Sequence, residues 1–150
     1  MNEALTEHGL LLTVFSIGES LWAVDALHVQ EIIRVSAITR VHHALPEVVG
    51  IINLRGRIVT ILDPAYRLGL PAGVVEASAR ILVLDWKDEQ IGLLVSRIQD
   101  VVSVEASQLA PPPSNMKQAF GAHLAKVVRI KDQAISVLDL ETILAIEEAH

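Results

Sequence analysis

Gly50-Ile51-Ile52-Asn53-Leu54-Arg55-Gly56-Arg57-Ile58-Val59-Thr60-Ile61-Leu62-Asp63 decides the fold. Two runs rich in branched aliphatic residues flank a polar Leu-Arg-Gly-Arg reversal, and Gly56 tolerates the dihedrals that a tight bend requires. The stretch predicts a β-hairpin. Its second arm ends in Asp63-Pro64, followed by Ala65-Tyr66-Arg67-Leu68 and Gly69. That is the order of an N-cap, a first helical residue, one short turn and a C-terminal stop. Arg55 stands beside the bend, where its planar fork of donors loses comparatively little entropy on meeting a carboxylate or carbonyl. It is a candidate recognition group, with a merely solvated turn arginine as the alternative on hairpin chemistry alone.

Upstream, residues 1–9 are polar and predict a flexible N-terminus. Leu10 to Ile17 then reads as a strand, Gly18-Glu19-Ser20 as a turn and Leu21 to Val24 as the return arm. Leu10, Leu12 and Val14 share one face of the first strand, and Leu11, Thr13 and Phe15 share the other. A strand with two apolar faces needs a cover on each. Leu27 to Val35 fits a short helix or a strand, and the branched residues at its end favour a strand. Ser36 to Val49, with Pro46, is a connector into the hairpin.

Downstream, Leu70 to Ser78 reads as a loop, either a subdomain boundary or an excursion. Arg80 to Trp86 and Ile91 to Val95 are strands around a polar turn, followed by Ile98 to Val104. Glu105 to Ala122 reads as a long connector in which Pro111-Pro112-Pro113 blocks both helix and central strand. Leu124 to Ile130 and Ala134 to Leu138 form a last hairpin. Asp139 then caps a terminal helix from Leu140 to Ile146, with Glu147 and Glu148 at the end less favourable for carboxylates.

The chain repeats itself. A shift of 69 places Val29-Gln30-Glu31-Ile32-Ile33 over Ile98-Gln99-Asp100-Val101-Val102, and Trp22-Ala23 over Ile91-Gly92. With seven further residues, Arg57 to Asp63 falls over Gln133 to Asp139. Two halves, approximately 10–70 and 80–146, thus each supply about five strands to the segment 10–150. Closing each sheet into a small barrel and pressing the barrels together removes edges and extends the core. The expectation is an all-β chain with short helices and two packed barrel-like subdomains, the point of crossover between them left open.

Composition narrows the function. With 51% hydrophobic but only 3% aromatic residues, the interior must be built mainly from Val, Ile, Leu and Ala. The net charge of −6 and the lack of a Lys/Arg cluster argue against nucleic acid as a partner. No cysteine is present for disulfides or thiolate metal sites, and no long apolar run suggests a membrane span. A cytoplasmic protein is the simple expectation.

Catalytic combinations are hard to assemble. No Gly-x-Ser-x-Gly elbow, His-Glu-x-x-His pattern or phosphate-binding glycine loop occurs. His42-His43 would point apart on a strand, so a metal site is not expected. Asp63 and Asp139 occupy matching positions before short helical turns and read as structural caps. Trp22 and Trp86 read as core or seam groups. Glu31 and Asp100 are matching acids within apolar segments, each solvent-facing or a recognition carboxylate.

The sequence strongly resembles the CheW-like chemotaxis adaptor family from about Leu10 to Ile146. The resemblance is carried most specifically by Gly50 to Asp63, by Val29-Gln30-Glu31-Ile32-Ile33 and by Ile130 to Leu140. It implies two five-stranded SH3-like barrels with a C-terminal helix, no catalytic activity and no cofactor. It also implies a scaffold joining the regulatory domain of a chemotaxis-type histidine kinase to the cytoplasmic tips of methyl-accepting chemoreceptors. Self-association in signalling arrays, and indirect membrane association through the receptors, follow from the same resemblance. It places Val29, Glu31, Asn53, Arg55 and Gly56 at the receptor-coupling surface and leaves the kinase-binding residues unassigned. A small-ligand-binding β-barrel regulatory protein is the alternative.

Overall fold

A computed structural model describes residues 9–71 and 75–145. The described residues form eleven strands: β1 (Leu10–Ile17), β2 (Ser20–Asp25), β3 (Val29–Arg34), β4 (Val48–Leu54), β5 (Arg57–Leu62), β6 (Arg80–Trp86), β7 (Glu89–Val95), β8 (Arg97–Val104), β9 (Leu109–Ala110), β10 (Leu124–Ile130) and β11 (Gln133–Leu138). Among the described residues, three short α-helices accompany them: α1 (Pro64–Leu68), α2 (Ser114–Phe120) and α3 (Leu140–Ile143).

The strands form two sheets, one of six in the order β8-β1-β2-β11-β10-β9 and one of five in the order β3-β6-β7-β5-β4. The first has six strands rather than the expected five because the two-residue β9 pairs with β10. The chain runs from β8 through a 3-10 turn at Ala106–Gln108 into β9, and so connects the two ends of the first sheet. In the second, the segment after β3 forms a bridge from Thr39 to Ile51 of β4 and connects the ends likewise. Gly50 makes this approach feasible, since a Cβ there would lie 2.3 Å from the Thr39 carbonyl oxygen.

The internal repeat appears in the register. β1, β2 and β3 match β6, β7 and β8, while β4 and β5 match β10 and β11. Parallel pairing of β2 with β11 puts Trp22 opposite Ser136, and parallel pairing of β5 with β7 puts Ile91 opposite Thr60, which are corresponding positions. The bulges correspond too: the ladder skips Gln30 in β3 and Gln99 in β8. Each sheet therefore takes one hairpin from one half of the chain and three matching strands from the other.

Three apolar layers result. Leu12, Val14 and Ala23 pack with Val104, Val128 and Ile135 inside the first barrel. Ile52, Val59, Ile61, Ile81 and Val83 fill the second. The opposite faces of the same strands contribute Phe15, Ile17, Trp22 and Val24, and Leu62, Leu82, Leu84 and Leu93, to a shared seam. Two apolar faces on one strand thus find two different cores, as the pattern of β1 requires. Trp22 is fully buried in the seam and Trp86 packs against it.

Three local expectations are corrected. The strand expected over Leu27–Val35 starts only at Val29, because Asp25 caps a 3-10 turn at Ala26–His28 by accepting from the Leu27 N–H at 3.0 Å. The connector Glu105–Ala122 contains α2, which starts directly after the proline run. Pro113 sits at its N-cap with φ −59°, so the prolines stop helix upstream of Ser114 and permit it downstream. The terminal helix expected over Leu140–Ile146 is shorter, ending at Ile143 with Leu144 as its C-cap and Ala145 beyond it; Ile146, Glu147, Glu148 and residues 1–8 lie outside the described residues.

Candidate functional site

The hairpin between β4 and β5 turns through Arg55 and Gly56, with Leu54 paired to Arg57. Both central residues have positive φ, 52° and 86°, the geometry of a two-residue type I′ turn, whose twist matches that of the flanking strands. Asn53 locks the bend by accepting the Gly56 N–H on Oδ1 at 2.8 Å. Asn53 and Gly56 thus shape the platform on which Arg55 stands.

The bulge at Gln30 sets the opposing element. Val29 before it packs against the shared seam, whereas Glu31 after it shares a face with Ile33, which packs in the second barrel. Glu31 therefore stands at the mouth of that barrel, where its Oε2 accepts a charge-assisted hydrogen bond from Nη2 of Arg55. The Arg55 side chain remains 67% exposed and Glu31 25%. Four of the five expected site residues thus belong to one unit, a bulge acid meeting a turn arginine held by Asn53 and Gly56. The fifth, Val29, is half-buried and packs against the shared seam.

Three exposed aliphatic side chains were not assigned from sequence. Leu27, 55% exposed, lies in the 3-10 turn two residues before Val29. Leu11 projects on the seam face of β1 together with Thr13 and is half exposed. Val101 of β8 pairs with Thr13, so it lies on that face too, diagonally across from Leu11, and is also half exposed. The signal available beforehand was the apolar character of both faces of β1; which end of the outer face escapes cover depends on the packing of the second sheet.

Other singled-out residues are structural in their contacts. Asp63 Oδ1 accepts from the Ala65 N–H at 3.0 Å and Asp139 Oδ1 from the Thr142 N–H at 3.2 Å, so both cap helices. Burial raises the Asp63 carboxyl above its ordinary 3.8, opposed by the Ala65 hydrogen bond. His42 and His43 are exposed in the connector. Among the described residues, no three His, Cys, Asp or Glu side chains gather as metal ligands. No described helix is long and apolar enough to cross a membrane.

Comparison with known proteins places these features in context. The family model described as a CheW-like domain matches residues 12–148. The chain is 32% identical over 142 residues to chemotaxis protein CheW of Thermotoga maritima, covering 95% of this chain and 91% of that protein. It is 30% identical over 144 residues to chemotaxis protein CheW of Rhizobium meliloti, covering 96% and 93%. Among solved structures, the scaffolding protein TtCheW from Thermoanaerobacter tengcongensis superposes with a TM-score of 0.84 at 25% identity, covering 92% of this chain and 89% of that one.

Proposed function

The chain belongs to the CheW-like domain family, and from that premise we propose that it couples chemoreceptor cytoplasmic tips to the regulatory domain of a chemotaxis-type histidine kinase. It is a non-catalytic chemotaxis scaffold. Its work is geometric, holding partners so that receptor state reaches the kinase. The receptor-coupling surface is the Glu31–Arg55 unit together with the exposed aliphatic side chains of Leu11, Leu27 and Val101. The aliphatic side chains supply contact area to one face of a receptor helix, and the exposed donors of Arg55 fix its register. Self-association within the array and a cytoplasmic location, at the membrane only through receptors, complete the reading.

The observation that carries it is the exposed guanidinium held on a locked turn, with donors left over after Glu31 is served. Reconstitution of receptor, kinase and this chain tests it. Receptor-dependent phosphorylation should fall when the chain is omitted and when Arg55→Ala replaces it. Equal receptor control with the chain omitted would overturn the scaffold assignment, and unchanged control with Arg55→Ala would overturn the site.

A further inference from the structure

The repeat gives the Glu31–Arg55 unit a counterpart. Asp100 follows the bulge at Gln99 as Glu31 follows that at Gln30. Lys131, with φ 51°, occupies the turn between β10 and β11 as Arg55 does that between β4 and β5. The second barrel's mouth is bridged by its acid and base. At the first barrel's mouth the corresponding pair forms no ion pair within 4 Å. Asp100 Oδ1 instead accepts from the N–H of Val101 at 2.8 Å.

Between these groups lies an open cavity of about 540 Å³, within the usual size range of small-molecule sites. Its floor is the open end of the first barrel's interior, formed by Val14, Val102, Ile130 and Ile135, with no aromatic ring to stack on a planar ligand. Arg97 and Lys131 supply two cations at the rim, and Glu19 and Asp100 two carboxylates. None of these four forms an ion pair among the described residues. Ser16, on the strand face of Val14, is buried with its hydroxyl lacking a partner at the same wall.

We propose that the mouth of the first barrel is a binding site for a small aliphatic zwitterion of amino-acid size. The aliphatic part covers the floor, the carboxylate meets Arg97 and Lys131, and the ammonium meets Glu19 and Asp100. Both charges are needed, because the rim presents two of each sign and a ligand of one sign would face repulsion from half of it. The site shares no lining residue with the receptor-coupling surface, although Val101 lies between Asp100 and Val102, and its ligand binding is read without a receptor, so it stands or falls independently of that reading.

Calorimetric titration of the full chain with L-leucine, 4-methylpentanoate and 3-methylbutan-1-amine is the test, with amide chemical shifts mapping the contact. Leucine should bind saturably, shift the amides of Val102 and Ile130, and bind more tightly than either singly charged analogue. Arg97→Gln and Lys131→Gln should each weaken leucine binding about tenfold, the scale of a lost charge-assisted hydrogen bond, with circular dichroism confirming that each variant is folded. Absence of saturable leucine binding at millimolar concentration would overturn the proposal. So would equal binding of the three probes, or leucine binding that both variants leave unchanged.

Discussion

Glu31 and Arg55, 24 positions apart in sequence, meet because a skipped residue in β3 turns the carboxylate toward the hairpin tip that carries the guanidinium. With Arg55 so exposed, the pair contributes only about 0–1 kcal/mol to folding. Stability and coupling should therefore separate. Arg55→Ala should leave the thermal midpoint nearly unchanged while reducing receptor-dependent kinase activity. The exchanged pair Glu31→Arg with Arg55→Glu should remain folded without regaining that activity, because the partner would meet a carboxylate in place of donors. Recovery of coupling by the exchange would mean that the ion pair itself, and not the arginine, matters.

Arg67 behaves in the opposite way. It is only 14% exposed, donates from Nε and Nη2 to Glu47 at 3.1 and 2.8 Å, and donates from Nη1 to the Thr142 carbonyl at 2.9 Å. It thus ties α1 to the segment before β4 and to α3. Arg67→Met should cost about 2–4 kcal/mol, since it strands a largely buried carboxylate and frees helix-end carbonyls. A lowered urea midpoint with unchanged slope is the expected measurement.

Two glycines should fail for different reasons. A Cβ at Gly92 would lie 2.6 Å from Ile81 Cγ2 and 2.7 Å from Ile61 Cδ1, so Gly92→Ala overpacks the second barrel at a cost of about 1–3 kcal/mol. Gly56 has open space around it but φ of 86°, so Gly56→Ala carries only a backbone cost of about 1–2 kcal/mol. Ile61→Val should recover part of the first loss and none of the second. A double-mutant cycle in denaturant separates the two causes.

His123 gives the fold a pH dependence. Burial, and then the Arg67 guanidinium, lower its pKa from the ordinary 6.5, while Asp139 pulls it upward. Its Nδ1 also lies 2.9 Å from Thr142 Oγ1. An imidazole that resists protonation in the fold contributes stability that is complete above 6.5 and is lost as pH falls through the lowered value, because the unfolded chain takes the proton first. His123→Gln, which keeps a polar group opposite Thr142, should flatten the stability profile below neutrality. Parallel urea titrations of the two proteins from mildly acidic to neutral pH provide the check.

Most strands were legible because branched residues bounded by Gly, Asp and Lys turns leave few other readings. The caps at Asp63 and Asp139 were legible because side chain, following residues and stop all lie within one local segment. The family resemblance put Glu31, Asn53, Arg55 and Gly56 on one surface, but the contact between Glu31 and Arg55 was illegible, since the bulge that turns Glu31 toward Arg55 has no local sequence marker. Only the recurrence of Gln before an acid, at Gln30 and Gln99, hints at it. The helix α2 escaped notice because its seven residues bury no side chain fully and follow three prolines. The seven extra residues in the second half were its trace. The partner of each strand was illegible for a simpler reason: with two apolar faces on β1, β2, β5 and β6, many pairings satisfy the same pattern.

The sharing of strands between the two barrels also restricts how this protein can be taken apart. Severing the polypeptide near its midpoint would remove β1 and β2 from one sheet's remaining strands and β6 and β7 from the other's, leaving each fragment with incomplete ladders. Truncation is consequently a poor route to a monovalent inhibitor that retains a single docking face; point substitutions at the surface, on an uncut chain, are the means of silencing one contact while preserving the rest.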